Sequence, residues 1–140
     1  MIYKATKAIE AKLKEKDMKC TIKETDETSA VRAGVGADNF SYELLFISSD
    51  DDSDVAVRAF DLLRIPENKR ESILPAINQL NRRFRYYKFI MDDDGDIRAE
   101  YDFPVRTPME QVGEFAYELL VRSMDIFDKA YSDLMKAIWA

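Results

Sequence analysis

The 140-residue chain has the length of one domain, and its 46% hydrophobic content is enough for one core. Its 27 acidic and 21 basic residues give a net charge of −6, which disfavours nucleic acid and anionic membrane surfaces as partners. The absence of histidine excludes a histidine base, a Ser-His-Asp triad and histidine-bearing zinc sites. We therefore predict a single domain over 1–140.

The chain has one cysteine and a charged beginning. Cys20 cannot form a disulfide within the chain, and its place in the alternating stretch "MKCTIKE" favours a small strand residue over a nucleophile. No apolar run reaches the roughly 20 residues that are needed to cross a bilayer. We therefore expect a cytoplasmic, unprocessed protein.

The first half of the chain is predicted to form one helix followed by four strands. Ile2, Thr6, Ile9 and Leu13 recur at helical spacing, which predicts an amphipathic helix over about 2–16. β-Branched and aromatic residues then alternate in four short runs that turn-forming residues separate. The predicted strands are "KCTIKET", "SAVRAGV", "SYELLFIS" and "DVAVRAFDLL".

The second half is predicted to form a helix, two strands and a final helical segment. The first helix begins at Pro66 and extends to about Phe84, and Pro75 inside it predicts a kink or a later start. Two strands follow at about 86–91 and 97–103, and residues 109–139 carry apolar side chains at helical spacing. The order α-β-β-β-β-α-β-β-α predicts an α+β fold.

The final segment is long for a domain of this size. An unbroken helix there would be about 46 Å long, whereas a compact chain of this length has a diameter of about 37 Å. We therefore expect either a break near Ser132 or a projecting end that needs a partner.

The densest acidic stretch is "DDDGD" at 92–96. An EF-hand loop needs oxygen ligands at positions 1, 3 and 5, glycine at position 6 and glutamate at position 12. With Gly95 at position 6, Ile90 falls at position 1 and Tyr101 at position 12, and the frame that starts at residue 92 has no glycine at position 6. No dedicated metal or cofactor site is therefore predicted. Weak, opportunistic cation ligands remain, namely Asp92, Asp94 and Asp96.

A hairpin explains the same stretch better. If 93–95 is a three-residue loop with Gly95 in the left-handed conformation, apolar residues face one another across the two strands. The predicted pairs are Met91 with Ile97, Phe89 with Ala99, Tyr87 with Tyr101 and Lys88 with Glu100. This register sets Asp92 opposite Asp96, and like charges across a ladder repel. Asp92→Asn is therefore expected to stabilise the hairpin if no ion is bound.

Two other charged stretches have structural explanations. "SSDDDSD" at 48–54 is predicted to be a solvated loop, and a four-residue loop over 49–52 would pair Phe46 with Val55 and Glu43 with Arg58. "RRFRYYKF" at 82–89 interleaves cations with aromatic residues, as a platform for single-stranded nucleic acid would. A helix end followed by a strand explains this stretch better, and an acidic protein would repel such a ligand.

Apolar strand surface is the remaining functional signal. In "YELLFI", Tyr42, Leu44 and Phe46 are predicted on one strand face, and Leu45 and Ile47 on the other. Phe60 and Leu62 of the next predicted strand are expected on the same face as Leu45 and Ile47. A half-exposed antiparallel strand should be polar on one face, so something covers both. The cover is either a helix of the same chain or a second subunit or bound segment. The candidate partner-binding residues are Leu45, Ile47, Phe60, Leu62, Tyr131 and Trp139.

The order of the elements and four long stretches resemble the YbjN-like family, small bacterial domains described as sensory transduction regulators. The stretches are "ELLFISSDDDSDVAVRAF", "IPENKRESILPAINQLNRRFRYYKF", "DDDGDIRAEYDFP" and "LVRSMDIFDKAYSDLMKAIWA". The resemblance spans nearly the whole chain from about Ile22. Pro75 departs from the uninterrupted helix that is expected of this family.

The resemblance implies a fold similar to type III secretion chaperones, with a strongly bent antiparallel sheet packed against helices. Such proteins are often dimeric and bind extended segments of other proteins, and the family offers no catalytic residues to transfer. We therefore expect a non-enzymatic chaperone-like or regulatory protein-binding domain that forms a homodimer. The alternative is a small-molecule or ion-responsive sensory regulator that uses the acidic loops, and an enzyme with paired carboxylates comes third.

Overall fold

In a computed structural model, which describes residues 1–51, 53–106 and 108–140, the chain forms three α-helices and one six-stranded antiparallel sheet. The helices are α1 (Lys4–Glu15), α2 (Arg70–Arg83) and α3 (Glu110–Ile138), and a 3-10 turn (Glu67–Lys69) precedes α2. The strands are β1 (Cys20–Glu24), β2 (Ser29–Gly36), β3 (Ser41–Ser48), β4 (Asp54–Arg64), β5 (Lys88–Met91) and β6 (Asp96–Pro104). The predicted α+β class and order of elements are confirmed.

The strands lie in the order β1-β2-β3-β4-β6-β5, and every neighbouring pair is antiparallel. The first four strands form a meander, because each is joined to its neighbour by a short connection. The β5–β6 hairpin then returns to the sheet with β6 beside β4 and β5 at the edge. The β4–β6 pair therefore joins parts of the chain that are distant in sequence.

One face of the sheet forms the core. Val31, Phe46, Val57 and Ala99 are fully buried there, as the alternation of side chains along each strand requires. The helices bury a matching set of side chains, which includes Ile9, Leu13, Leu119, Leu120 and Phe127. Each fully buried Leu, Val or Phe side chain stabilises the fold by roughly 1.5–3 kcal/mol.

α1 and α3 approach each other closely at Gly113. A Cβ atom at this position would lie 2.7 Å from the Ala8 carbonyl oxygen and 3.0 Å from Lys12 Cβ. The other side of α1 is fixed to β2 by the buried hydrogen bond between Thr6 Oγ1 and Ser29 Oγ, at 2.7 Å. Glycine in α3 therefore lets α1 contact the sheet and α3 at the same time.

α3 neither breaks near Ser132 nor projects without cover, so both expectations for the final segment are wrong. The helix is continuous to Ile138, and its buried stripe still includes Leu134 and Ile138 at the end. α2 covers this end, and Arg83 Nη1 lies 3.1 Å from Asp133 Oδ2 across the contact. The size estimate failed because it treats the domain as a sphere. Within the described chain, no helix has the length and apolar character to cross a membrane.

α2 starts later than Pro66, as the presence of Pro75 suggested it could. The helix begins at Arg70 and contains Pro75. Proline leaves the Glu71 carbonyl without its helical partner. Both residues are exposed, so water can bond to that carbonyl. The buried side chains of α2 are Ile73, Ile77 and Leu80.

The β5–β6 hairpin has the predicted loop and most of the predicted register. Its pairs include Lys88 with Glu100, Phe89 with Ala99 and Met91 with Ile97. Gly95 has φ +86°, and its N–H donates to the Asp92 carbonyl at 3.0 Å. The predicted Tyr87–Tyr101 pair does not form in the ladder, because Tyr87 has φ +70° and β5 begins only at Lys88.

The predicted β3–β4 register is wrong by two residues. Phe46 pairs with Val57 instead of Val55, and Ser48 is the residue that pairs with Val55. A shift of two residues keeps every side chain on its face, so the apolar pattern cannot separate the two registers. The loop is longer than predicted, and Asp52, which the prediction placed in it, lies outside the described residues.

Gly113→Ala is expected to destabilise the protein, although alanine favours a helix by about 1 kcal/mol over glycine. The added methyl group meets the Ala8 carbonyl at 2.7 Å, so α1 and α3 must separate, and we expect a net loss of about 1–3 kcal/mol. Urea unfolding followed by circular dichroism measures the change. The control is Gly34→Ala, whose added Cβ has nothing within 4 Å. If both variants were equally stable, the close contact would not limit the fold.

Candidate functional site

The helices lie on one side of the sheet, because their buried side chains form one cluster with the strand side chains of the core face. The opposite side, which we call the open face, carries the alternate side chains of the strands. Cross-strand pairing places Ile47 between Ala30 and Ala56, and Leu45 between two arginines. Leu45 and Ile47 are half-buried by these neighbours and do not pack against the core. The open face therefore has an apolar centre that no helix of the described chain covers.

Ion pairs surround this apolar centre. Arg32 Nε lies 3.1 Å from Glu43 Oε2. Arg58 Nη1 lies 2.5 Å from Asp102 Oδ1, and its Nε lies 3.5 Å from Glu100 Oε2. The Arg58 side chain is only 20% exposed, so solvent screens its contacts less than those of a fully exposed pair. An apolar centre with a polar rim is typical of protein–protein interfaces.

A bulge in β4 separates the two candidate residues Phe60 and Leu62. The β4–β6 register shifts after Ala59, and Asp61 has φ +53°. Phe60 is 48% exposed and lines a cavity of about 280 Å³ on the open face together with Leu45. Leu62 instead packs against the core on the helix-covered side. The bulge explains why simple alternation placed Leu62 on the wrong face.

Tyr131 and Trp139 lie away from the open face. Tyr131 stacks on Phe40 with ring centroids 4.4 Å apart and 13° between the planes, and it lines the same small interior space as Leu62. Trp139 follows the end of α3 and is 80% exposed. Of the six candidate residues, the structure therefore brings together Leu45, Ile47 and Phe60 on one surface. Partner binding by any of the six stays a prediction.

The acidic hairpin loop brings three carboxylates together. Oxygen atoms of Asp92, Asp94 and Asp96 lie within 4.8 Å of one another. Asp92 Oδ1 accepts hydrogen bonds from the backbone N–H groups of Asp94, at 2.9 Å, and Asp96, at 3.1 Å. Arg64 Nη1 lies 3.6 Å from Asp96 Oδ1 and offsets part of the repulsion. Asp92→Asn therefore alters two hydrogen bonds as well as a charge, and the expected stabilisation no longer follows from repulsion alone.

Two tyrosines and the cysteine have raised pKa values because they are partly or fully buried. Burial raises the pKa of Tyr42 to about 12, and its hydroxyl lies 2.6 Å from Ser123 Oγ. Burial also raises the pKa of Tyr87 well above its ordinary value, and its hydroxyl donates to the Leu119 carbonyl at 2.7 Å. Burial, with a contribution from nearby carboxylate charge, raises the pKa of the Cys20 thiol and so reduces its thiolate fraction at neutral pH.

The basic and aromatic stretch at 82–89 is divided between the core and the surface. Tyr87 and Phe89 are buried, and Phe84 packs against the core. Arg83 pairs with an acidic residue of α3. Packing thus accounts for these aromatic residues, whereas Arg85 and Lys88 are exposed at the edge of the sheet.

Comparison with known families gives a clear result. A family model described as "YbjN: Putative bacterial sensory transduction regulator" matches residues 6–128. The chain belongs to the YbjN family. The match starts before Ile22 and covers α1 from residue 6, and it ends within α3, so the last turns of that helix lie beyond it.

The crystal structure of YbjN from E. coli, described as "a putative transcription regulator", resembles this chain with a TM-score of 0.57. The sequence identity is 14%, and 90% of each chain is covered. At this identity the similarity shows that the fold is shared. No curated protein matches the chain significantly.

Asp94→Asn is expected to stabilise the YbjN-family protein by a few tenths of a kcal/mol in the absence of divalent cations. The substitution relieves repulsion, and the Asp94 carboxylate accepts no hydrogen bond from the described chain, unlike that of Asp92. Asp92→Ala is the matched comparison, which loses two acceptor contacts and should destabilise by about 1 kcal/mol. Urea unfolding in EDTA measures both changes. A less stable Asp94→Asn variant would contradict a net repulsion among the three carboxylates of the loop.

Proposed function

We propose that this member of the YbjN family is a non-enzymatic, chaperone-like or regulatory protein-binding domain that acts as a homodimer. The observation that carries the proposal is the apolar centre of the open face, where Leu45 and Ile47 lie beside the exposed Phe60. Burying such a surface against a partner is favourable by roughly 25 cal/mol for each Å² of apolar area.

A second copy of the chain suits the open face. A two-fold axis brings the same surface of two subunits together, so the surface must complement itself. The apolar centres can then meet while Arg32 of one copy approaches Glu43 of the other. These residues already pair at 3.1 Å within one chain and are both exposed. A stable interface of ordinary size buries about 800 Å² on each partner.

A non-enzymatic role agrees with the chemistry of the chain. It has no histidine, and burial raises the pKa of its only thiol, that of Cys20. Buried tyrosine hydroxyls make hydrogen bonds within the core instead of facing a cavity with convergent carboxylates. The regulator description of the family points in the same direction.

Leu45→Glu is expected to convert a wild-type dimer into a folded monomer. In the monomer the new carboxylate lies between Arg32 and Arg58, which can pair with it, whereas a dimer interface would bury its charge. Size-exclusion chromatography with light scattering should give twice the 16.2 kDa chain mass for the wild type and the single mass for the variant. The control is Val121→Glu on α3, where the valine is 44% exposed. A monomeric wild type at about 100 µM would contradict the homodimer, and a dimeric Leu45→Glu would contradict the open face as its interface.

The carboxylate cluster of the hairpin loop favours one alternative, an ion-responsive regulator. If Asp92, Asp94 and Asp96 bind Ca²⁺ with the affinity of weak natural sites, about 1 mM, then about 10 mM CaCl₂ should raise the wild-type Tm. Asp94→Asn should remove this rise, while Asp26→Asn in the distant β1–β2 turn should keep it. An unchanged wild-type Tm would count against this alternative.

A further inference from the structure

β5 covers only the first part of one edge of β6. The ladder between β5 and β6 stops at the pair of Lys88 and Glu100. Before Lys88 the chain turns away from β6 at Tyr87, which has φ +70°. β6 continues to Pro104 and pairs with β4 on its other side. Residues 101–104 therefore have no strand of the described chain beside them on the β5 side. We call this backbone the free β6 edge.

The hydrogen-bond alternation places the polar backbone groups of Asp102 on the free β6 edge. Successive residues of an antiparallel strand direct their N–H and C=O groups to opposite neighbours. The Asp96 carbonyl accepts from Asp92 on the β5 side at 3.0 Å, and the Val105 N–H donates to Ser53 on the β4 side at 3.0 Å. Even-numbered residues of β6 therefore face the β5 side, where Asp102 has both a donor and an acceptor available.

Pro104 limits the length of this edge. Its carbonyl also faces the β5 side by the same alternation, but proline has no N–H to donate. Proline on an edge strand prevents indiscriminate pairing with other chains. The free β6 edge therefore offers one donor and two acceptors, which suits a short added segment whose side chains supply most of the selectivity.

A cavity lies on each side of the free β6 edge. On the helix side, a cavity of about 300 Å³ is lined mainly by apolar side chains, among them Phe103, Val112 and Phe115. On the open-face side, a cavity of about 260 Å³ is lined by Arg85 and Lys88 beside residues 100–102. An added strand points alternate side chains to opposite sides. One side chain would thus enter an apolar cavity and the next a cavity that contains Arg85 and Lys88.

The second cavity is lined by two cations, Arg85 and Lys88, and by two carboxylates, Glu100 and Asp102. Arg85 and Lys88 form no ion pair with any residue that the structure describes, whereas the Glu100 and Asp102 carboxylates are held by Arg58. Glu100 also contacts Arg98 Nε at 3.2 Å, so its charge is further offset. Unpaired cations at an interface favour carboxylates of a partner through charge-assisted hydrogen bonds.

We propose that the free β6 edge binds an extended segment of another protein in which apolar and acidic residues alternate. The segment adds as a strand beside Asp102, places an apolar side chain near Phe103 and Phe115, and places carboxylates near Arg85 and Lys88. This inference rests on the proposed protein-binding function, but it uses the free β6 edge and not the apolar centre of the open face.

The probe is a fluorescent, end-blocked peptide of about seven residues in which leucine and glutamate alternate, long enough to span the free edge. Fluorescence anisotropy at low salt should show saturable binding to the wild-type protein. A leucine–lysine peptide of the same length should bind at least about tenfold more weakly, because its charges meet Arg85 and Lys88. A leucine–glutamate peptide with N-methylated backbone amides should also lose binding, since it has no N–H to donate to the Asp102 and Pro104 carbonyls.

Variants of the protein locate the binding site. The double variant Arg85→Glu with Lys88→Glu should weaken binding by at least about tenfold, or ~1.4 kcal/mol. Asp102→Pro and Asp102→Ala both lose the carboxylate that Arg58 binds, but only the proline variant also lacks the outward N–H, so it should bind the peptide more weakly. The N-methylated peptide tests the reciprocal hydrogen bond, from the peptide to the Asp102 carbonyl, and so still tests strand addition if the proline variant does not fold.

Each outcome decides the inference. No binding of the leucine–glutamate peptide at about 1 mM, the lower limit of useful affinity, would overturn it. So would equal binding of the lysine peptide, or binding that neither the double variant nor N-methylation weakens. Leu45→Glu should still bind the peptide, because it leaves Arg85, Lys88 and the free β6 edge unchanged. A monomeric wild type that binds the peptide would contradict only the homodimer, and a dimeric wild type that binds no peptide would contradict only the edge site.

Discussion

This chain has enough helix to cover one face of its six-stranded sheet, and that one-sided burial is the constraint on which the rest depends. α1 and α3 lie side by side on the core face because Gly113 lets their backbones approach. Once Phe46 is committed to that face, the alternation of the strand sends Leu45 and Ile47 to the other. Neither side chain packs against the core, and their exposure is what supports the proposed dimer interface.

The free β6 edge has its origin in the packing of Tyr87. The Tyr87 ring is buried with its centroid 4.7 Å from that of Phe127, and its hydroxyl donates to the Leu119 carbonyl at 2.7 Å. To reach this position the residue adopts φ +70°, which costs a bulky side chain about 1–2 kcal/mol. Burial and the hydrogen bond offset that strain. The same turn prevents β5 from starting before Lys88. The packing of Tyr87 in the core is therefore also the cause of the free β6 edge.

Local patterns in the sequence predicted more than non-local ones. Gly95 and the alternation around it were enough for the β5–β6 register, because the loop and both strands are contiguous. The β3–β4 register failed because Phe46 keeps its face when the pairing shifts by two residues. Leu62 was misplaced because the bulge at Asp61 arises where β4 meets β6, far along the chain. Strand alternation found Leu45 and its neighbours, but no local pattern indicates the positive φ that exposes the edge.

Arg58 lies between the two surfaces and contacts both. It pairs with Leu45 across the ladder on the open face and binds the Asp102 carboxylate, whose backbone lies on the free β6 edge. A strand added beside Asp102 brings its own carboxylates to the same end of the sheet, where they compete for the guanidinium. Because Arg58 is only 20% exposed, any loss of its partner is costly and changes the charge beside Leu45. Association at the open face and binding at the edge would then affect each other equally, as linkage requires.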